Sequence, residues 1–334
     1  MSLRPQNTTG AGHAPVAIVI VTWNSAGYLP GCLESLRALE RPPAELVVVD
    51  SGSTDGAADL VRRDYPEALL IACAENVGFC RGNNLGIRTT TSPFVLVLNP
   101  DTMLEPGFLE RLLPAFDEPR VGMAAGKLLR FDRKTLDTAG QMLSRARRPR
   151  DRGYGDLDRG QFDRDTEVFG VCGAAALYRR AMLDEIADPG PCFFDETFFA
   201  FGEDLDLAWR ARRAGWTAAY RHEAVGYHAR GGSATRAPRL RRRIALLGRS
   251  PEIRFHAVKN RYLAILRNDS VAGYLRNLPF IWARDLGTVG LLLLTSPAVL
   301  GRLWRARGLF REAVRLGRLD AARFEAHLQQ GRTG

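Results

Sequence analysis

Short apolar runs separated by polar, turn-prone residues set the rhythm of the first hundred positions. VAIVIV (16–21), LVVV (46–49), LLIA (69–72) and FVLVL (94–98) are four such runs. Each is too short and too evenly apolar for an amphipathic helix and reads as a strand buried on both faces. Between them, 30–39, 57–63 and 81–90 carry apolar residues at helical spacing, and Pro42-Pro43 stops the first. Strands alternating with helices predict an α/β fold, a doubly wound and mostly parallel sheet of Rossmann-like type. The runs end in Thr22 and Asn24, Asp50, Asn76, and Asn99-Pro100-Asp101. Ligands of open α/β sheets bind at the carboxyl edge, so these residues are the first site candidates.

Beyond residue 101 the pattern predicts a helix over 106–116 and a strand over 121–129. Residues 145–165 are rich in Arg, Asp and Gly and nearly free of apolar side chains. They read as a surface loop, either a lid ordered by substrate or a solvated insertion. The small apolar run 168–178 contains glycines that suit close backbone approach. Leu205, Ala208 and Trp209 then fall at i, i+3 and i+4, which starts a helix near Glu203. Glu203, Asp204 and Asp206 occupy its first turn, where the helix dipole favours anions. Asp206 and Arg210, four apart, are expected to pair on the helix surface.

Composition changes the picture mainly through charge. The net charge is +10, yet 21 Lys/Arg against 6 Asp/Glu fall from Arg230 to the end, so the remainder is acidic. Such a basic third suits an anionic lipid surface or a phosphorylated substrate. It also holds an uncharged stretch, 286–301, interrupted by Pro297. At 16 residues it is short of the ~20 a spanning helix needs and reads as interfacial. Five cysteines without a C-x-x-C pair suggest reduced thiols in a cytoplasmic setting. Neither a G-x-G-x-x-G nor a P-loop follows the first strand, which argues against a dinucleotide oxidoreductase or a P-loop enzyme. No nucleic-acid recognition motif accompanies the charge.

Seven pieces in order carry a family resemblance: VTWNS (21–25), VVDSGSTDG (48–56), ENVGFCRGNNLGI (75–87), LNPDT (98–102), GEDLDLAWRARRAGW (202–216), YHARGGSA (227–234) and KNRYLAILRN (259–268). With them the chain resembles the inverting family-2 glycosyltransferases of GT-A fold, and most the rhamnosyltransferase branch. Residues 1–13, polar and with Gly10 and Gly12, read as a disordered leader; the resemblance implies a catalytic domain (14–235), with a nucleotide-sugar half to about 101 and an acceptor half from 102. A basic, amphipathic helical region (236–334) would associate with the inner face of the cell membrane.

The resemblance also assigns roles. Asp204 is the base that takes the acceptor hydroxyl's proton, and Glu203 supports it. Thr22, Asn24, Asp50, Asn76, Gly78, Asn84 and Asn99 hold the nucleotide-sugar. Asp101 and His228 hold Mg²⁺ or Mn²⁺. Asn99 replaces the first Asp of the family's D-x-D, which leaves Asp101 as the carboxylate of that motif. The Gly-Asn-Asn form at 82–84 points to a dTDP-sugar, dTDP-rhamnose, passed to a glycan or lipid-linked acceptor in cell-envelope polysaccharide synthesis. The alternatives are a UDP-hexose or galactofuranose transferase of the same fold, and a catalytically silent sugar-nucleotide-binding scaffold. The alternative for the basic tail is a homodimer interface or helices packed on the catalytic core.

Overall fold

The computed structural model describes residues 14–230 and 250–330. The expected leader at 1–13, the boundary at 235/236 and the basic run at 236–243 lie outside these residues.

The four apolar runs are strands: β1 (Val16–Thr22), β2 (Glu45–Asp50), β3 (Leu69–Ala72) and β4 (Phe94–Leu98). They pair in parallel in the order β3-β2-β1-β4. Helices α1 (Leu29–Arg37), α2 (Ala57–Asp64) and α3 (Gly78–Arg88) make the crossovers. Alternate residues of each strand feed two cores. Ile18, Ile20, Val48 and Leu96 pack with α1 and α2 on one face, while Val19, Val47, Val49 and Val97 pack with α3 on the other. That two-sided burial is what the unbroken apolar runs encode.

α3 begins three residues earlier than its periodicity suggests, at Gly78, whose φ is +79°. A Cβ there would lie 2.6 Å from the Phe199 ring, so only glycine lets the chain turn into the helix against that ring.

The second half is a mixed extension of the same sheet. β5 (Thr102–Leu104) leads to α4 (Phe108–Leu112) and a 3₁₀ turn (Leu113–Asp117), so the helix expected over 106–116 tightens half-way at Pro114. β6 (Val121–Leu129) follows, then β7 (Leu136–Thr138), β8 (Gln141–Leu143), β9 (Pro149–Asp151), β10 (Thr166–Val168), β11 (Ala175–Arg179), α5 (Arg180–Ile186), α6 (Glu203–Arg213) and β12 (Thr217–His228). β11 runs antiparallel between β4 and β6, and β12 runs parallel to β6. The loop expected at 145–165 is not free. β8 and β9 pair as a ribbon, and Lys127 binds Asp158 at 3.1 Å and also Asp163.

The C-terminal residues form α7 (Pro251–Asn268), α8 (Val271–Thr295), α9 (Pro297–Arg305) and α10 (Arg307–Gln330). The uncharged stretch 286–301 is therefore divided: α8 ends at Thr295 and Pro297 opens α9. Among the described residues α8 alone is long and apolar enough to cross a membrane, and little of it is buried. α7 packs differently, against α6 and the 3₁₀ turn at Glu196–Phe198. Arg267, 1% exposed at its side chain, bridges Asp188, Asp195 and Asp320. Arg210 donates to Asp206 at 2.8 Å and to the carbonyls of Ile186 and Phe193, while Asn268 donates to the other Asp206 oxygen at 2.7 Å. The expected Asp206–Arg210 pair exists, but it is buried rather than on the helix surface.

Candidate active site

Two adjoining cavities open at the carboxyl edge of the sheet and share a wall made of Phe79, Asn99, Asp101, Ala200 and Phe201. The larger, 1060 Å³, is lined by Trp23, Asn24, Ser51, Asn76 and Gly78. The smaller, 390 Å³, is lined by Gln141, Asp151, Glu203, Asp204, His228 and Arg230. Acids far apart in the chain therefore meet in one cleft, with Asp101 and Asp204 facing the same cavity.

At the larger cavity, the strand-end loops brace each other. Asn24, with φ +49°, accepts from the Thr54 N–H at 2.8 Å, and Asn76 Oδ1 accepts from the Gly78 N–H at 2.9 Å and the Ser51 hydroxyl at 3.1 Å. Three of the expected nucleotide-sugar residues sit elsewhere. Thr22 and Asp50 line neither cavity; both are nearly fully buried, each with one side-chain oxygen that has no partner among the described residues. Asn84 is a structural fastener. Its carboxamide donates to the Phe194 carbonyl at 2.8 Å and accepts from the N–H groups of Phe193 and Phe194, which fixes the 193–196 turn. It lines neither cavity.

At the shared wall, His228 Nε2 lies 3.2 Å from Asp101 Oδ1. His228 Nδ1 lies 2.8 Å from Asp137, which also takes Arg230 at 2.6 Å; Arg230 reaches on to Asp151 at 2.8 Å. Burial lowers the His228 pKa, but Asp101 and Asp137 outweigh it and raise it to about 9. Burial raises the Asp137 carboxyl, yet His228 and Arg230 leave it below its ordinary value. A carboxylate behind a histidine fixes the tautomer and raises the basicity of the outward nitrogen, an arrangement common behind metal-bound imidazoles. Among the described residues no three His, Cys, Asp or Glu groups form a metal-binding cluster. Asp101 and His228 are the two groups at the wall that could ligate a cation, and phosphate oxygens and water would have to complete its shell, as suits hard cations.

α6 presents the second half of the site. Gly202, with φ +90°, turns the chain into it. Asp204 Oδ2 accepts from Gln141 Nε2 at 3.0 Å, and Oδ1 from the Leu205 N–H at 2.7 Å. Burial, then the Asp151 charge, raises the Asp204 carboxyl above its ordinary value. Burial and Asp204 raise Glu203. A raised carboxyl in a cleft is suited to proton transfer near neutral pH.

The segment before α6 is held from the C-terminal side. Phe199 and Phe201 have φ of +66° and +73°, and Asn260 donates to the carbonyls of Phe198, Ala200 and Phe201 at 3.0, 2.8 and 2.7 Å. Lys259 reaches the Thr197 carbonyl. Sequence reasoning missed Gln141, Asp137, Asp151 and Asn260. The first three carry no motif, whereas Asn260 stood within the KNRYLAILRN piece.

Residues 17–187 match the family described as glycosyl transferase family 2. The chain belongs to that family. This family-2 glycosyltransferase is 28% identical over 245 residues to the N-acetylglucosaminyl-diphospho-decaprenol L-rhamnosyltransferase of Mycobacterium tuberculosis, which covers 66% of this chain and 78% of that protein. It is 28% identical over 232 residues to the pre-mycofactocin glycosyltransferase of the same organism, covering 67% of this chain and 44% of that one. Among solved structures, a mannosyltransferase of Pyrobaculum calidifontis in complex with GDP-Man and Mn²⁺ superposes with a TM-score of 0.53 at 16% identity, over 98% of this chain and 90% of that one. Residues 1–349 of S. aureus TarS in complex with UDP give 0.55 at 18%, over 96% and 92%. The fold is GT-A, with a helical C-terminal extension.

Proposed function

We propose that this family-2 glycosyltransferase moves rhamnose from dTDP-rhamnose to a lipid-linked sugar at the cytoplasmic face of a membrane, with inversion and with help from Mn²⁺ or Mg²⁺. The observation that carries the reading is the single cleft in which Asp101 and His228 adjoin Asp204. The donor would occupy the larger cavity. Asp50 does not line that cavity, but Ser51 next to it does, and the orphaned buried oxygen of Asp50 supports a pyrimidine base, because a ring N–H reaching it as the strand-end loop adjusts would supply the missing donor. The similarity to the mycobacterial rhamnosyltransferase supports the donor sugar and the polyprenyl diphosphate acceptor.

Asp101 and His228 would hold the cation, which offsets the charge of the departing diphosphate. Asp204 receives the proton of the attacking acceptor hydroxyl. Gln141 and the Leu205 N–H keep its carboxylate turned toward the smaller cavity. Burial and the Asp204 charge push the Glu203 carboxyl up, which favours its neutral form and limits charge repulsion in the pair.

The test is donor turnover with dTDP-rhamnose and with UDP-sugars, each with and without Mn²⁺. Cation-dependent release of dTDP is the expected result. Preferential release of UDP would move the reading to a UDP-hexose or galactofuranose transferase. No turnover of any nucleotide-sugar, with binding retained, would leave a sugar-nucleotide scaffold.

A further inference from the structure

α8 is built inside out. Val271, Leu275, Trp282, Leu286, Val289 and Leu293 follow one another at spacings of three, four or seven residues, which is one stripe of an α-helix. These six side chains are between 41% and 78% exposed. The stripe runs about 33 Å along the helix. The polar side chains turn the other way. Asp285 accepts from Arg261 of α7 at 2.6 Å, Asn277 accepts from Arg145 at 3.4 Å, and Arg284 and Thr288 are half-buried on the same side. Ile281 and Leu292 are buried there too. A surface helix ordinarily turns its apolar stripe to the core and its polar side to water. A continuous apolar face left outward marks a surface that is covered in use.

Charge decides what covers it. α8 and α9 together hold four arginines and one acid, Asp285, and that acid faces inward to Arg261. Both helices pack on α7, with Leu292 and Val299 against Val258, so both turn their other sides away from it. Arg276 and Arg305 are exposed, as are Trp282 and Trp304. A second copy of the chain fits this face poorly, because two-fold pairing would set a basic surface against itself. Anionic headgroups complement it, and indole rings favour the headgroup level of a bilayer. A crossing helix is also a poor fit. Arg284 and Asp285 stand in the middle of α8 and would fall at the bilayer centre, where charges are costly, and Asp285 would have to leave Arg261.

We propose that α8 lies in the plane of an anionic lipid bilayer without crossing it, its outward stripe among the acyl chains and Arg276 and Arg305 at the headgroup phosphates. The inference rests on the reading of a transferase at a membrane face and specifies the surface that meets the lipid. It also orients the cleft. The β8–β9 ribbon supplies Gln141 and Asp151 to the smaller cavity, and its tip rests on the C-terminal helices. Arg147 grips Asp269 with two bonds of 2.6 and 2.9 Å, Arg261 donates to the Ala146 carbonyl at 2.9 Å, and the Arg145 guanidinium sits 3.8 Å from the centre of the Phe280 ring. Seating α8 in the bilayer therefore holds one wall of the smaller cavity near the lipid, where a lipid-linked sugar arrives.

The test uses the full chain and co-sedimentation with vesicles, either of phosphatidylcholine alone or of phosphatidylcholine mixed with phosphatidylglycerol. The wild type is expected to bind the mixed vesicles at least tenfold tighter than the neutral ones, and a Trp282→Ser, Leu286→Ser double variant to bind the mixed vesicles at least tenfold more weakly than the wild type. Equal binding by the two proteins overturns the site, and equal binding to the two lipids overturns the anionic partner. Alkaline carbonate should strip the protein from membranes of the expressing cells; retention there would make α8 a span and overturn the in-plane placement. Light scattering without lipid should give one mass for both proteins, and a wild-type dimer that the double variant breaks would make this face a contact between copies. An unchanged thermal midpoint marks the double variant as folded. If the midpoint falls, an Arg276→Gln, Arg305→Gln variant, which alters exposed charges alone, decides by the same tenfold criterion on mixed vesicles. Absence of dTDP-rhamnose turnover in both proteins, measured without vesicles, would count against the transferase reading and leave the vesicle result standing.

Discussion

Gln141 Nε2 lies 3.0 Å from Asp204 Oδ2, so a glutamine on the ribbon orients the carboxylate that opens α6. That bond also stabilises the ionised form of Asp204, against the burial and the Asp151 charge that raise its pKa. A base works only when deprotonated, so turnover should fall as pH drops through the raised Asp204 value. Gln141→Leu removes a group that lowers the pKa, and its acid limb should move to higher pH. Asp151→Asn removes a charge that raises it, and the limb should move to lower pH. Profiles of kcat against pH check both signs.

Asp204→Asn keeps the size of the side chain and removes its basicity. Turnover should drop by about 10²- to 10⁴-fold. Donor binding, read by thermal shift with dTDP, should stay within threefold, because Asp204 lines the smaller cavity and not the larger. Full turnover by this variant would remove the proposed base.

Asp137 touches His228 and Arg230 but lines neither cavity. Asp137→Asn should therefore weaken the Mn²⁺ dependence of donor binding by roughly 10- to 100-fold while leaving metal-free dTDP binding unchanged. Asp101→Ala should abolish the Mn²⁺ effect altogether. Titration of Mn²⁺ against the thermal stability of the dTDP complex measures both.

Asp206→Ala leaves the Arg210 guanidinium buried with only carbonyl partners. Loss of a partner from a buried ion pair costs about 3–5 kcal/mol. Urea denaturation of this variant should show that loss, and Asp206→Asn, which can still accept, should show less.

Gly86 faces the sheet, and a Cβ there would fall 2.4 Å from Val19 Cγ1. Gly86→Ala should destabilise by about 1–3 kcal/mol through overpacking. Pairing it with Val19→Ala should recover part of that loss, because the two changes share one contact.

The parallel half of the fold is legible because its strands are buried on both faces and so are written as unbroken apolar runs. The start of α6 is legible for a local reason, three acids followed by apolar residues at helical spacing. The ribbon is not, because β8 and β9 are three residues each, too short to show alternation, and β9 reads Pro-Arg-Asp. Its docking onto the C-terminal helices is a long-range fact that no local pattern holds. Within the site, Asp101, His228, Glu203 and Asp204 stand where their motifs place them, in one cleft. Asn84 does not, because a carboxamide serves a turn as readily as a ligand, and only its hydrogen bonds to Cys192, Phe193, Phe194 and Glu196 distinguish the two. Asp137 and Asp151 are ordinary acids until Arg230 and His228 are seen beside them.

The grip of Asn260 on the carbonyls of Phe198, Ala200 and Phe201 has a consequence for how the enzyme comes into being. The left-handed turn that delivers Asp204 depends on a carboxamide made more than fifty positions later by the ribosome. A nascent chain that has completed its whole sheet still lacks the brace for its proton acceptor. Sugar transfer would thus begin only after α7 emerges and docks, with the remaining C-terminal helices close behind it.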